Sequence, residues 1–508
     1  MTAMDRHVES QFDLNGLGVT LGPWHAAGRG PLYQRLADAL RAAILRGDLA
    51  AGGLLPPERL LAQHLAVSRS TVVAAYDLLR ADHLVERRQG SGTRVRHGQA
   101  GPGAASAGPP HARGLELSRT LNRNTLFRGL NDRQDEVIDL LGAYLLDADG
   151  LPAAALDGIE REIAELAHTA GYAPLGYPPL RAAIARRLSR RGLPTEPRQV
   201  LVTAGAQQAI YLSAWLYLQR GDSAVVENPT YPGALDALSA FGAHLVGVPT
   251  RRAGVDPDRL RQAVERTSPR LVYLIPSYQN PTGGVLSSHA RRQLASLVQS
   301  HGLALVDDDS LSDLGLHDDQ PPPPVATFAP DSPILTIGSL SKICWAGLRV
   351  GWVRAQEPVI AQLARLKAVT DLGGSMATQV IATRLMDSVD QMRQQRGLIL
   401  RERLALVSDL LGSQLPDWSW EPPLGGLCLW VRLPYGSATE FSQVALRHGV
   451  SVVPGSVASC DGSFGDHLRL PFGHSPRVLE AAVSRLAAAW RAYAPAEGGR
   501  VQSVAVIV

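Results

Sequence analysis

One stretch of this sequence can belong to no packed core. His97-Gly98-Gln99-Ala100-Gly101-Pro102-Gly103-Ala104-Ala105-Ser106-Ala107-Gly108-Pro109-Pro110 holds no apolar side chain larger than alanine or proline. It has too little surface to bury to offset the entropy lost on ordering, so it reads as a flexible linker. A chain that must pass through it folds as at least two separate parts. The linker is expected over residues 98–134, between a compact block at 30–97 and a larger region at 135–495. Residues 1–29 read as a loosely ordered leader. Residues 496–508 form a tail whose apolar end, Val504-Ala505-Val506-Ile507-Val508, has no assigned role.

The larger region alternates short apolar runs with longer helical patterns from Glu136 to about Pro495, the mark of an α/β domain. Val200-Leu201-Val202-Thr203, Ser223-Ala224-Val225-Val226, Leu271-Val272-Tyr273-Leu274-Ile275 and Leu303-Ala304-Leu305-Val306 are candidate buried strands, and Pro321 to Pro324 marks a loop. With 45% hydrophobic and 19% charged residues, the composition is that of a soluble globular protein. No run of 18 apolar residues appears, so no membrane span is expected. The opening residues lack the apolar core of a signal peptide. Three scattered cysteines, Cys344, Cys428 and Cys460, make neither a disulfide framework nor a metal-ligand spacing, which fits a reducing cytoplasm and no metal site. A net charge of +3 is too small to bind nucleic acid through the whole molecule, so any such activity needs a local patch.

The block at 30–97 supplies one. From Pro31 to Arg96 ten arginines face six acidic residues, an excess of +4 against +3 for the whole chain. Leu36, Leu40, Ala43 and Ile44 recur at helical spacing. Pro56-Pro57-Glu58-Arg59 opens a second helix, with Leu60, Leu61 and Leu65 as its inner face. Ala66-Val67-Ser68 reads as a tight turn, and Ser68 can cap a third helix that buries Val72, Ala75, Tyr76 and Leu79. Two helices so joined make a helix-turn-helix, the second able to enter the major groove. Leu84-Val85-Glu86-Arg87-Arg88 and Thr93-Arg94-Val95-Arg96 flank Gln89-Gly90-Ser91-Gly92, a hairpin wing suited to phosphates. A helical dimerisation module with a solvated basic face would share the helix pattern.

Lysine usage points to the chemistry of the larger region. Of 50 basic residues two are lysine, leaving 48 arginines. A GC-rich genome would produce the same bias, yet arginine stays protonated and cannot form a Schiff base, whereas a shielded lysine can attack an aldehyde. One lysine lies in Gly338-Ser339-Leu340-Ser341-Lys342, downstream of Asn280-Pro281-Thr282-Gly283 and Asp307-Asp308-Asp309. Pyridoxal phosphate needs a Schiff-base lysine, a partner for its ring nitrogen, a donor to its phenolic oxygen, a phosphate cradle and a stacking group. Lys342, Asp308 and Asn280 suit the first three. Gly205-Ala206-Gln207 follows a strand and starts a helix, so the N–H groups of Ala206 and Gln207 can receive phosphate, with Ser339 and Arg349 completing the cradle. Tyr231 is the stacking candidate. Each piece alone is commonplace; their order and spacing argue together.

These segments resemble known families. Leu55-Pro56-Pro57-Glu58-Arg59-Leu60-Leu61-Ala62, Val67-Ser68-Arg69-Ser70-Thr71-Val72 and Gly90-Ser91-Gly92-Thr93 resemble the GntR-type winged helix. That implies DNA contacts from Arg59, Ser68, Arg69 and Thr71, with Gly92 at the wing tip; Pro57 stands where the family often has serine. Ser277-Tyr278-Gln279-Asn280-Pro281-Thr282-Gly283, Val306-Asp307-Asp308-Asp309-Ser310 and Gly338-Ser339-Leu340-Ser341-Lys342 with Gly347-Leu348-Arg349-Val350-Gly351 resemble fold-type-I aminotransferases. That implies a large mixed-sheet domain plus a smaller C-terminal α+β domain, and places Arg469 at a substrate or effector carboxylate. Ser310 departs from the family, which commonly has a tyrosine there as a second donor to the phenolic oxygen. The fusion resembles the MocR branch of GntR regulators. It implies a homodimer that binds an operator and senses pyridoxal phosphate, or an amine or amino acid condensing with it. The alternatives are an active aminotransferase with an accessory DNA-binding domain, and a domain that holds the cofactor only as a dimerisation scaffold.

Overall fold

The structure, a computed structural model, describes residues 17, 20, 21, 24, 31–46, 48–50, 52–88, 92–96, 136–145, 152, 156–317 and 321–493. They fall into two compact units, one from residues 1–141, 435–452 and 484–508, the other from 142–434 and 453–483. The expected linker, the wing turn at 89–91, the tail and most of the leader lie outside the described residues.

In the first unit α1 (Leu32–Arg46) buries Leu36, Ala37, Leu40 and Ala43, one face of a helix. α2 (Glu58–His64) begins after Pro57 and carries Glu58 in its first turn, where a carboxylate meets the positive helix end. It buries Leu61, Ala62 and His64. Leu60, expected on that inner face, is only half-buried; neighbouring helical positions point about 100° apart, and Leu61 takes the inward one. α3 (Arg69–Ala81) starts at Ser68, whose hydroxyl accepts the Thr71 N–H at 3.1 Å, and buries Val72, Ala75, Tyr76 and Leu79, the four anticipated. The Tyr76 hydroxyl donates to Pro56 O at 2.9 Å and ties α3 to the entry of α2. β1 (Val85–Arg88) and β2 (Gly92–Val95) pair antiparallel, Val85 opposite Val95 and Arg88 opposite Gly92.

Leu17, Leu21 and Trp24 are buried in the same core as Leu36, Leu40, Val72 and Leu79. This corrects the reading of 1–29 as only a loose leader. The three lie four and three positions apart, the spacing of one helical face, and they cover apolar surface on the winged helix. The next described element of this unit is β3 (Ile138–Asp139).

The second unit holds α4 (Ile159–Leu166), α5 (Pro178–Arg190), β4 (Val200–Thr203), α6 (Ala206–Tyr217), β5 (Ser223–Asn228), α7 (Pro232–Ala240), β6 (His244–Arg251), β7 (Gly254–Val255), α8 (Pro257–Thr267), β8 (Leu271–Leu274), α9 (Ser288–His301), β9 (Ala304–Asp308), β10 (Ile334–Ser339), β11 (Gly351–Arg354), α10 (Glu357–Thr370) and α11 (Met376–Gln414). Eight strands form one sheet in the order β4-β11-β10-β9-β8-β5-β6-β7. β10, β9, β8, β5 and β6 run parallel; β11 runs against both its neighbours. The four strands anticipated from apolar runs are β4, β5, β8 and β9. Val225, Val272, Leu305 and Ile334 meet Leu260 and Val264 of α8 and Leu294 and Val298 of α9 in one apolar cluster.

A second sheet, in the order β12-β13-β16-β15, is built from β12 (Ser419–Trp420), β13 (Cys428–Arg432), β15 (Val453–Pro454) and β16 (His467–Pro471). Between β13 and β15 the chain contributes α12 (Ala438–Arg447) and β14 (Val450–Ser451) to the first unit, where β14 pairs parallel with β3. Arg447 donates to the carbonyls of Leu65 and Ala66, each at 3.1 Å. The last element is α13 (Pro476–Ala492). Among the described residues no helix is long and apolar enough to cross a membrane.

Candidate functional site

Strand register gathers the site of the second unit at one edge of its sheet. Thr203, Gly351 and Ser339 stand level across β4, β11 and β10, and Asp308 stands level with Ile337. Polar residues from distant segments thus emerge together at the carboxyl ends of β4, β9 and β10, where α/β sheets bind ligands.

Lys342 comes three residues after β10. Its Nζ donates to Ala143 O at 2.7 Å. The lysine keeps partial solvent access, yet burial, followed by the positive charge of Arg469, pushes its amine down to about 8. Arg349, Cys428 and Asp308 are its other electrostatic neighbours. A lysine held so low keeps a larger neutral fraction at pH 7 than an ordinary lysine does.

Strand alternation separates the three aspartates. Asp307 accepts the Val325 N–H at 2.8 Å, and burial pushes it up to about 7. Asp309 pairs with Arg191 and accepts the Ser277 hydroxyl at 3.1 Å. Asp308 accepts the Tyr273 hydroxyl at 2.7 Å and the Ser310 N–H at 3.1 Å. Burial raises Asp308, while these hydrogen bonds and one from the Ser310 hydroxyl work to lower it. At the position of the expected tyrosine, Ser310 therefore serves the aspartate. Tyr273 escaped the sequence reading; a single phenol in an otherwise aliphatic strand was its only signal.

Gly205, with φ +90°, caps α6, whose first turn leaves N–H groups without helical acceptors. Arg349 donates to Ala204 O at 2.8 Å. A Cβ on Gly205 would lie 2.7 Å from Arg349 Nη2, and one on Gly351 would lie 2.9 Å from Ala206 N. Both glycines keep this corner open. The Gln207 amide donates to Gly233 O at 2.8 Å, and the Ser339 hydroxyl accepts the Ser341 N–H at 3.1 Å. Tyr231 senses the charges of Asp308, Arg469 and Arg349, and burial raises its phenol. Arg469, buried on β16 opposite Trp430 and Val453, brings its charge to the same place from the second sheet. Asn280 has its side-chain oxygen buried with no partner in the protein.

In the first unit Arg59, Ser68 and Arg69 are exposed and Thr71 is half-buried. The Ser68 hydroxyl lies 2.8 Å from those of Ser70 and Thr71, so three hydroxyls cluster at the positive start of α3. Gly92 takes φ +82°, and a Cβ there would touch Leu54 Cδ1 at 3.0 Å; only glycine is unstrained.

Two family models match. Residues 32–95 match bacterial regulatory proteins of the gntR family, and residues 137–486 match aminotransferase class I and II. The chain belongs to the class I and II aminotransferase family. It is a GntR-type regulator fused to an aminotransferase-like domain. YdfD of Bacillus subtilis, an uncharacterized HTH-type transcriptional regulator, is 29% identical over 456 residues, 88% of this chain and 93% of that one. MocR of Rhizobium meliloti, a probable rhizopine catabolism regulatory protein, is 29% identical over 400 residues, 76% of this chain and 78% of its own. Among solved structures, the α-aminoadipate aminotransferase LysN of Thermus thermophilus, complexed with N-(5'-phosphopyridoxyl)-L-leucine, is 29% identical with a TM-score of 0.68, covering 73% of this chain and 96% of that one. The aminotransferase fold implies pyridoxal phosphate as cofactor. The residues fit it: a depressed lysine amine, a buried carboxylate and an open glycine-lined helix start converge at one sheet edge.

Proposed function

We propose that this GntR-type regulator binds operator DNA through its winged helix and tunes that binding with pyridoxal phosphate, or with an amine or amino acid that reacts with it. The DNA-reading block spans 30–97 and the sensing region 135–495, joined by the linker at 98–134. The protein works in the cytoplasm as a homodimer, which presents two reading heads. The observation that carries the reading is the depressed amine of Lys342 beside Arg469 and Asp308, in a chain whose other part is a helix-turn-helix.

When bound, pyridoxal phosphate supplies an aldehyde for an amine and a ring that accepts electrons. Lys342 is the amine that would hold it covalently, and its low proton affinity leaves a neutral fraction to attack at pH 7. Asp308, kept in place by Tyr273 and Ser310, would hold the proton on the ring nitrogen. Asn280 would donate to the phenolic oxygen and Tyr231 would stack on the ring. Ala206, Gln207, Ser339 and Arg349 would hold the phosphate. Arg469 would take the carboxylate of an effector. Arg59, Ser68, Arg69 and Thr71 would contact DNA, with Gly92 shaping the wing. An effector shifts operator affinity only by binding one conformation better than another.

The test is a titration of the promoter upstream of this gene with the full chain, with and without pyridoxal phosphate, repeated with Lys342→Ala. Tight binding that responds to the cofactor only when Lys342 is present is the expected result; an affinity indifferent to the cofactor and to every amine tested sinks the switch. One observation favours a second reading, an active aminotransferase: Lys342, Asp308 and Arg469, the set that transamination needs, are electrostatic neighbours. Multiple turnovers of an amino acid with 2-oxoglutarate would support it, and a single half-reaction would not.

A further inference from the structure

The second of the two lysines has no place in the chemistry above. Lys367 lies near the end of α10, 1% exposed. Its Nζ donates to Asp371 Oδ1 at 2.7 Å. The other oxygen of Asp371 accepts the Gln208 side-chain N–H at 2.8 Å. The Gln208 carbonyl accepts the Ala204 N–H at 2.8 Å, and Ala204 O accepts Arg349 Nη2 at 2.8 Å. An unbroken hydrogen-bonded chain therefore runs from a buried ammonium to the loop and guanidinium at the start of α6.

We infer that Lys367, acting through Asp371 and Gln208, is a positioning residue for the phosphate cradle, fixing the Ala204–Gly205 loop before a phosphate arrives. The inference rests on reading Gly205–Gln207 and Arg349 as that cradle. Gln208 holds the N–H of Ala204 while Arg349 holds its carbonyl, so both sides of the residue that leads into the helix start are set. The Gly373 N–H also donates to Asp371 Oδ1, at 2.9 Å. Burial works to raise the Asp371 carboxyl, but hydrogen bonds from Gln208, Lys367 and Gly373 outweigh it and hold it low. It stays an anion, able to accept from both sides. Such charge-assisted bonds are the strong ones, and preorganised donors need no reordering when an anion binds. Lysine suits the place because its ammonium is compact. An arginine would bring a planar fork with five N–H donors into a site with almost no solvent. An ion pair that merely closes α10 would stabilise the helix end and leave the phosphate untouched.

Phosphate dependence separates the two. Cofactor-free full-length protein is titrated with pyridoxal phosphate and with pyridoxal, which lacks the phosphate, and the ratio of affinities is read from the visible absorbance of the bound form. Wild type should prefer the phosphorylated form strongly. Lys367→Met, Lys367→Arg and Gln208→Met should each cut that preference about tenfold, with pyridoxal affinity little changed. If Lys367→Met does not fold, the half-exposed Gln208→Met decides alone. Variants that melt earlier but keep the wild-type ratio overturn the inference and leave the cradle reading standing. A wild type with no preference for the phosphorylated form overturns the cradle reading, and the inference with it.

Discussion

Two side chains in the pocket set its pH behaviour. Burial and Arg469 bring Lys342 from an ordinary lysine value down to about 8. The folded protein therefore holds this proton less tightly than the unfolded chain does. Below about 8 the buried ammonium costs stability in full, and the cost fades as pH rises toward the unfolded lysine value near 10.4. Lys342→Met should accordingly raise the melting temperature of cofactor-free protein at pH 7, with the gain shrinking between about pH 8 and 10.4. A gain independent of pH would mean better packing and not relief of charge. Tyr273 acts in the opposite direction on Asp308: its hydrogen bond helps keep the carboxylate ionised. In Tyr273→Phe the ionised carboxylate is lost at a higher pH, so the acid limb of cofactor affinity should move upward. An acid limb that stays where the wild type has it would remove Tyr273 from that role. Lys342 and Asp308 were legible in the sequence because cofactor chemistry demands those residue types. Tyr273 was not, because the pairing of β8 with β9 brings its hydroxyl to a residue 35 positions away.

At the scale of elements, α3 depends on how its start is held. Ser68→Ala removes the cap that accepts the Thr71 N–H and should cost about 1 kcal/mol in the stability of the first unit. Operator affinity should fall with it; unchanged binding would place the recognition surface elsewhere. The turn before α3 has a second support that no local pattern announced. Arg447, on α12, binds the carbonyls of Leu65 and Ala66, and Ala66 takes φ +50°. Arg447→Ala should speed hydrogen exchange across residues 62–71 while leaving α1 protected, since the turn loses both bonds. Equal protection in the variant would show that the turn holds its shape unaided. The buried face of α3 could be read from spacing alone, and that of α1 in part, since Ala37 joins it and Ile44 is only half-buried. Leu60 could not, because α2 has only seven residues and so short a helix leaves its rotation to its neighbours.

For the whole molecule, DNA binding and cofactor uptake should respond differently to salt. Operator affinity should fall with salt by about 0.9 in log–log slope per phosphate neutralised, whereas cofactor uptake in a buried pocket should change far less. Equal responses would place the cofactor in an open, screened site. By itself the sequence determined the buried face of the third helix of the winged helix, four strands of the large sheet and the residue types that suit the cofactor. Each of these follows from local periodicity, capping, composition or a reactive group with few substitutes. Only the tertiary structure decided the sheet order that brings Asp308, Ser339 and the start of α6 to one edge. It also decided that Arg469 arrives from a separate sheet, that Leu17, Leu21 and Trp24 join the winged-helix core, and that Lys367 reaches Gln208 through Asp371. Those contacts join residues distant along the chain, and their distances are set by how sheets and helices pack, which no local window of sequence contains.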